Sequence, residues 1–163
     1  TALAQALIAW AKERGWARLQ VGAGQDLDII YGLVGTGGRT FWEKATALHA
    51  EAHRPPDSPM PQYFSRHYYD LAMLLDTAEG KEAVADFDLL AQVAKHKATF
   101  FRSGWASYDT ARPGTLRLMP DDARVKDLRA DYRAMAPMMF DEAPPSFDDI
   151  LERIAALQEV INR

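Results

Sequence analysis

The sequence predicts a mainly α-helical protein, α+β overall, in which a helical bundle follows a small β-hairpin. From residue 39 onward, apolar residues recur at intervals of three and four positions, the spacing of one face of a helix. Proline-rich breaks separate these stretches, and helix-start patterns open two of them. Strand-like runs occur only before residue 39. We therefore expect two domains, residues 1–38 with one helix and the hairpin, and residues 39–163 with the helical bundle.

Composition restricts the class of protein. The chain has 163 residues, 48% hydrophobic and 26% charged, which is typical of a globular domain. A net charge of −4 gives no general attraction for nucleic acid, and the absence of cysteine excludes disulfides and thiolate metal sites. No apolar run approaches the roughly 20 residues that span a bilayer, and no signal peptide is visible. We expect a cytoplasmic protein without membrane contact, and the start at Thr1 without Met predicts a processed, truncated or incompletely represented polypeptide.

The N-terminal part is predicted to contain a helix and two strands. Residues 1–14 have an amphipathic pattern that Gly15 ends, because glycine tolerates the left-handed backbone found after helices. Residues 16–22 and 27–34 are predicted as the strands of a hairpin, joined by a glycine-containing turn.

A DxD pattern, Asp26-Leu27-Asp28, lies at the start of the second predicted strand. Alternation along a strand places Asp26 and Asp28 on one side, as is needed to hold Mg²⁺ on a nucleotide. A solvent-facing hairpin edge has the same pattern, and no Gly-Ser phosphate-binding turn precedes it. The residues alone leave both interpretations open.

The first helix of the bundle is predicted over residues 40–54. Thr40 and Glu43 form a capping-box pattern, which places the helix start at Thr40. Lys44 lies at the edge of the apolar face. Its ammonium group suits the phosphates of a nucleotide, although a lysine whose stem packs on the core with its head in water has the same spacing.

A second helix is predicted to start at Ser65, which would cap it, after the proline-rich connection 55–61. Asp70 lies on this helix, one turn after Arg66. The carboxylate either orients a substrate group or transfers a proton, or it forms an ordinary surface ion pair. Because the connection is long enough to return the chain antiparallel, we expect Lys44 and Asp70 to open onto one shared cleft.

Further helices are predicted for the rest of the chain. A break near Asp86 divides the first of them, and a capping pattern of Ser146 and Asp149 starts the last. The predicted ranges are 79–101, 121–136 and 146–162.

His49 and His53 stand four positions apart, a spacing at which two imidazoles share one helical face and can bind a metal. They lack the HExxH pattern, and a third ligand would have to come from His67, His96 or a carboxylate. We expect no structural zinc there. A small metalloprotein built on these histidines stays an alternative, beside imidazoles that face solvent or pack against a loop.

Residues 95–124 are locally basic and rich in aromatic side chains. Such a surface suits single-stranded RNA or a tRNA end, but helical proteins also bury aromatic residues in their cores. Both interpretations stay open for this set: Lys95, His96, Lys97, Phe100, Phe101, Arg102, Trp105, Tyr108, Arg112, Arg117 and Arg124.

Three stretches together carry a family resemblance, and they are 40–49 (TFWEKATALH), 65–71 (SRHYYDL) and 96–103 (HKATFFRS). They resemble the AbiEii/AbiGii toxin family of nucleotidyltransferases over about residues 39–160. The resemblance implies that this region is the helical C-terminal lobe of a polymerase-β-like nucleotidyltransferase, with an NTP and Mg²⁺ as cofactors.

The resemblance also implies roles for single residues. Lys44 is the lysine expected to contact the triphosphate, and Asp70 is the aspartate beside the nucleotide. Arg66, in the Arg-x-x-x-Asp pattern, would support Asp70. The implied activity is transfer of a nucleotide from an NTP to an RNA, such as a tRNA, or to a protein acceptor. A cognate antitoxin protein is the implied partner.

The chain departs from the family pattern at its N-terminal end. It has no recognisable Gly-Ser motif, and Asp26 and Asp28 stand where the family usually shows a plain hairpin. Residues 1–34 are therefore interpreted as the segment between two lobes, and the chain looks incomplete for catalysis. A catalytically silent helical module that binds an antitoxin or an RNA stays the main alternative.

Overall fold

A computed structural model describes residues 37–138 and 143–163 of the chain. Within these ranges the protein is helical and contains no strand, which confirms the mainly α class for this part. Six α-helices occur in it: α1 (Gly37–Glu51), α2 (Ser65–Leu74), α3 (Ala78–Ala83), α4 (Phe87–Phe100), α5 (Asp122–Ala134) and α6 (Phe147–Asn162). Two short 3₁₀ helices accompany them: Tyr108–Thr110 and Ala136–Met138.

Several predictions fall on residues 1–36 and lie outside the described residues. They are the N-terminal helix, the β-hairpin, and the proposed metal ligands Asp26 and Asp28. The division of the chain into residues 1–38 and 39–163 also stays a prediction.

Helix α1 begins three residues earlier than predicted. It starts at Gly37, so Thr40 lies inside the helix and the predicted capping box is wrong. The Glu43 carboxylate instead accepts a hydrogen bond from Arg39 Nε at 3.0 Å, one turn earlier. The early start brings α1 close to α3, because a Cβ placed on Gly37 would lie only 2.6 Å from the Cβ of Glu79. Glycine therefore serves close packing at this position.

Helix α2 begins where predicted but is capped by a different residue. Ser65 is its first helical residue, and its side chain is not the cap. The carboxylate of Asp131, on α5, accepts the N–H of Tyr63 at 2.6 Å and the N–H of Ser65 at 2.9 Å. The Ser65 hydroxyl donates to the same carboxylate at 2.5 Å. A residue from another helix thus satisfies N–H groups at the start of α2.

Two other helix starts match the sequence prediction. The break near Asp86 is confirmed, because Asp86 is the N-cap of α4 and accepts the N–H of Leu89 at 2.9 Å. The capping box of Ser146 and Asp149 is also confirmed, with both reciprocal hydrogen bonds present at the start of α6.

The core is built around α1, which packs against α2, α3 and α4. The largest fully buried side chains come from helices α1, α2, α4, α5 and α6 and from the segment before α5: Phe41, Trp42, Leu48, Tyr68, Leu71, Leu90, Leu116, Leu118, Leu128, Ile150 and Ile154. This burial fixes the relative positions of α1 and α2, the two helices that carry Lys44 and Asp70.

The irregular segment between α4 and α5 is held by side-chain amides of α6. The Gln158 Oε1 atom accepts the N–H of Leu118 at 2.6 Å and that of Met119 at 3.1 Å. The Asn162 side chain both accepts from and donates to the backbone of Leu116. These bonds satisfy backbone groups of a segment that has no secondary-structure partner.

Within the described residues, no helix combines the length and apolar character that crossing a bilayer requires.

Candidate functional site

The structure joins the two residues that the sequence predicts to share a cleft. Lys44 Nζ on α1 lies 2.8 Å from Asp70 Oδ2 on α2. The lysine side chain is 25% exposed and the aspartate side chain is 38% exposed, so both can be reached from solvent. Their pairing follows from the packing of α1 against α2, which brings positions 44 and 70 to the same edge of the core.

His67 is a third member of this group. Its Nδ1 atom lies 3.3 Å from Lys44 Nζ. Because an ammonium group can only donate, Nδ1 must accept, which makes the imidazole neutral with its proton on Nε2. The ring of Phe64 packs edge-on against the imidazole, with ring centroids 4.8 Å apart.

The surroundings of His67 favour this neutral form. Burial lowers the pKa of His67 well below its usual range. Three nearby cations lower the pKa further: Lys44, Arg66 and Lys97. The imidazole therefore stays a neutral hydrogen-bond acceptor at neutral pH.

Lys97 adds a second lysine beside Lys44. From α4, its Nζ atom donates to the backbone carbonyl of Glu43 at 2.8 Å, one residue before Lys44. Lys44, Lys97 and Arg66 thus place three positive charges near His67, and Asp70 pairs with Lys44. An anionic ligand such as a phosphate group is the chemistry that such a site favours.

Arg66 does not contact Asp70 directly. Its side chain is exposed, and among the described residues no ion pair joins it to Asp70. Its influence on the site is the positive charge that it places near His67. The supporting role that the family resemblance implies for Arg66 stays a prediction.

His49 occupies a separate, fully buried position on α1. Its Nδ1 atom accepts the backbone N–H of Arg117 at 3.0 Å. The opposite nitrogen, Nε2, lies 3.0 Å from the carbonyl oxygen of Ser107 and 3.2 Å from Thr110 Oγ1. Both ring nitrogens are therefore bound to protein groups, and His49 anchors the segment 107–117 to α1.

His53 packs against His49, with ring centroids 4.5 Å apart. Its Nδ1–H donates to the His49 carbonyl oxygen at 2.8 Å, which makes it part of the end of α1. Burial lowers the pKa of His49, and its neighbours His53 and Arg117 lower it further, although the hydrogen bond to Ser107 and the nearby Asp109 oppose the shift. The two histidines thus form a structural pair at the end of α1.

The basic segment predicted to contact RNA is only partly available. The Arg124 guanidinium donates to backbone carbonyls of the proline-rich connection, those of Pro55, Pro56 and Ser58. Arg117 pairs with Asp121 at 3.1 Å. Both cations are therefore already engaged within the protein.

A different part of the same segment is open. Phe100, the last residue of α4, is 70% exposed, and Arg102 follows it on the surface. Arg102 lines a cavity of about 430 Å³ together with Ser103, Ser107, Tyr108 and Asp109. Cationic and aromatic groups thus meet beside an open cavity at the end of α4.

Sequence reasoning did not assign His67 and Lys97 to the Lys44–Asp70 site. His67 carried a usable signal, because it precedes Asp70 by three positions and such positions are neighbours on a helix surface. Lys97 carried no such signal, since it lies on a helix more than 50 residues further along the chain. Only the packing of α4 against α1 brings it to the site.

Comparison with known protein families gives a match over most of the helical region. The model of a family described as "Nucleotidyl transferase AbiEii toxin, Type IV TA system" matches residues 38–153, which is more than half of the chain. The match includes all three stretches that carry the resemblance in the sequence. No curated protein and no solved structure matches the chain.

Proposed function

On the premise that the chain belongs to the AbiEii family of toxin–antitoxin nucleotidyl transferases, we propose that its helical part binds an NTP through Lys44. In this proposal the nucleotide is transferred to an acceptor with the help of Asp70. The observation that carries the proposal is the ion pair of Lys44 and Asp70, which is partly exposed and lies among further positive charges.

Lys44 is proposed to hold the phosphates. Two of the three N–H donors of its ammonium group face protein acceptors, Asp70 and His67. A phosphate oxygen would take the remaining donor, and the cations near His67 would attract its negative charge. A charge-assisted contact of this kind is worth about 1.5–3 kcal/mol.

Asp70 is proposed to act on the acceptor. An acceptor hydroxyl would attack the α-phosphorus of the NTP, the bond to the β-phosphate oxygen would break, and pyrophosphate would leave. The ionised Asp70 carboxylate, held by Lys44, can accept a hydrogen bond from the hydroxyl and take up its proton. Asp70 would therefore orient the acceptor rather than bind the nucleotide.

Mg²⁺ would offset charge on the phosphates during transfer. Among residues 37–138 and 143–163, no three His, Asp or Glu side chains form a group that could hold a metal ion. Asp70 is a single carboxylate that already faces Lys44, so the described residues do not form a magnesium site by themselves. Asp26 and Asp28, outside the described residues, remain the proposed metal ligands.

Nucleotide titration with Mg²⁺ tests the role of Lys44. We expect Lys44→Ala to weaken NTP binding roughly ten- to a hundred-fold, the equivalent of about 1.5–3 kcal/mol. Lys95→Ala is the matched control, because Lys95 is an exposed lysine on α4 that forms no ion pair with another described residue. Equal affinity in wild type and Lys44→Ala would contradict the proposal.

A transfer assay with the full-length protein tests Asp70. We expect Asp70→Ala to keep most of the NTP affinity and to lose transfer, since its proposed role begins after the nucleotide is bound. Loss of NTP affinity as large as that of Lys44→Ala would instead assign Asp70 to nucleotide binding.

The acceptor is proposed to be an RNA, such as a tRNA end, that contacts Phe100 and Arg102. The exposed ring can stack on an unpaired base while the guanidinium binds a phosphate. We expect Phe100→Ala and Arg102→Ala to weaken binding of single-stranded RNA and to leave NTP affinity unchanged. If RNA binding is unchanged in both, the surface is free for a protein acceptor or a cognate antitoxin.

A further inference from the structure

We propose that His67 is a positioning residue for Lys44, which it holds beside Asp70 so that one N–H of the ammonium group points toward a phosphate oxygen. The inference rests on the proposed binding of an NTP by Lys44. It assigns a role to a side chain that faces the lysine and that touches neither nucleotide nor acceptor in the proposed reaction.

The contacts of Lys44 carry the argument. The ammonium group has three donors at tetrahedral angles, and two of them face Asp70 Oδ2 at 2.8 Å and His67 Nδ1 at 3.3 Å. Among the described residues, no third partner of Lys44 is found. A single partner would leave the long lysine side chain free to turn about the ion pair. Two partners fix the direction of the third donor.

Both partners lie on the same helix. His67 and Asp70 are three positions apart on α2, so they are neighbours on its surface and approach Lys44 from one side. The packing of Phe64 against the imidazole holds the ring at the start of α2. Any ligand of Lys44 must therefore approach from the side opposite α2.

A neutral imidazole suits this role better than a second carboxylate. A carboxylate would bind the ammonium group more strongly, but it would also repel the phosphates that Lys44 is proposed to hold. Nδ1 accepts a hydrogen bond without adding negative charge. Protonation would turn Nδ1 into a donor facing Lys44 and would break the contact.

The charged groups around His67 oppose this protonation. The cations are Lys44 on α1, Arg66 on α2 and Lys97 on α4, and Asp70 is the carboxylate that pairs with Lys44. Because burial and these cations lower the pKa of His67, the positioning contact should persist at neutral pH and fail only in acid.

Two substitutions separate the hydrogen bond from the packing. In His67→Asn, the amide oxygen can replace Nδ1 as a neutral acceptor, and the side chain does not titrate. In His67→Phe, the aromatic packing against Phe64 is kept and the acceptor is lost. We expect His67→Phe to weaken Mg²⁺–ATP binding about three- to ten-fold, whereas His67→Asn stays within about two-fold of wild type, which is less than the cost of removing Lys44 itself. Thermal melts of both variants are the control that tests whether they are folded.

The pH profile gives a readout that a merely structural role would not change. As the pH falls into the acid range, wild type should lose ATP affinity relative to His67→Asn, because only wild type can protonate the positioning residue, and this loss should begin well below the usual imidazole pKa of about 6.5. The ratio of the two affinities removes the titration of ATP itself. A ratio that already falls between pH 8 and pH 6.5, or one that stays constant down to the pH at which the protein unfolds, would overturn the inference.

NMR of the His67 side chain tests the contact without any nucleotide. Long-range ¹H–¹⁵N spectra should show neutral His67 protonated at Nε2, and Lys44→Met should raise the pKa of His67 because a neighbouring positive charge is removed. A proton on Nδ1, or the same titration in both proteins, would overturn the inference. If these spectra agree with it but Lys44→Ala binds ATP as wild type does, the proposed function fails. If Lys44→Ala loses ATP and His67→Phe does not, the positioning role alone fails.

Discussion

His49 and His67 are both neutral and both accept a hydrogen bond at Nδ1, yet they serve different ends. His49 is fully buried, and its two nitrogens face three groups of the segment 107–117. His67 is partly buried, and its Nδ1 faces the ammonium group of a lysine side chain that solvent can reach. The partners distinguish the two roles, since backbone partners indicate a structural histidine and an accessible cation indicates a site.

The same substitution at both positions should separate these roles most clearly. His49→Phe leaves the N–H of Arg117 without its acceptor and removes one of the donors to the Ser107 carbonyl, and we expect it to lower the free energy of unfolding by about 3 kcal/mol. His67→Phe should lower it by less than about 1 kcal/mol. Urea denaturation measures both values, and similar losses at the two positions would contradict the comparison.

Acid should lower the stability of the folded protein through both His49 and His67. The pKa of each is lowered on folding, so the unfolded chain binds more protons than the folded protein below the usual value of 6.5. Stability is therefore fully present above that pH and is lost as the pH falls toward the folded-state pKa values. The loss is at most about 1.4 kcal/mol per pH unit for each histidine.

Urea denaturation at pH 7.5 and pH 5.5 measures this dependence. In His67→Asn, only His49 contributes to this pH dependence. The loss of stability between pH 7.5 and pH 5.5 should therefore be smaller than in wild type. If the wild-type stability does not change between these pH values, the neutral folded form of both histidines is wrong.

His53 should have a smaller effect than His49, although the two rings are in contact. His53→Ala removes one hydrogen bond to the His49 carbonyl and one ring contact, and we expect a loss of about 1 kcal/mol in the free energy of unfolding. Thermal melts of His53→Ala and His49→Phe, measured side by side, rank the two losses of stability. A loss at His53 as large as that at His49 would show that the pair acts as one unit.

The Lys44–Asp70 ion pair should have the smallest effect on stability. Both side chains are partly exposed, and pairs of this kind contribute from nothing to about 1 kcal/mol. Asp70→Asn should therefore change the free energy of unfolding by no more than about 0.5 kcal/mol while it impairs transfer. Destabilisation beyond about 1.5 kcal/mol, measured with urea, would assign the pair to the fold instead of the site.

Local sequence signals predicted the helices well where the partners are close in the chain. The capping residues Asp86 and Ser146 bind N–H groups three positions later, and both helix starts were found from the sequence. The pairing of Lys44 with Asp70 could also be predicted from the sequence, because it requires only that two consecutive helices pack side by side and that the connection between them is long enough.

The predictions that failed concern contacts between residues that are far apart in the chain. Helix α1 starts at Gly37 instead of Thr40, where a glycine allows close packing against α3. Ser65 does not cap α2, because the carboxylate of Asp131 takes that place. No pattern near either position shows these contacts, since they exist only once the helices have packed.

The cap from Asp131 also bears on when the site can exist. Helix α2 has ten residues, too few for stability in isolation, and the carboxylate that holds its start is 66 residues further along the chain. During synthesis from the N-terminus, α2 and the residues that it presents to Lys44 have no firm position until α5 has been made. The pair of Lys44 and Asp70, and with it the proposed nucleotide site, would therefore form only after the residues of α5 have been made.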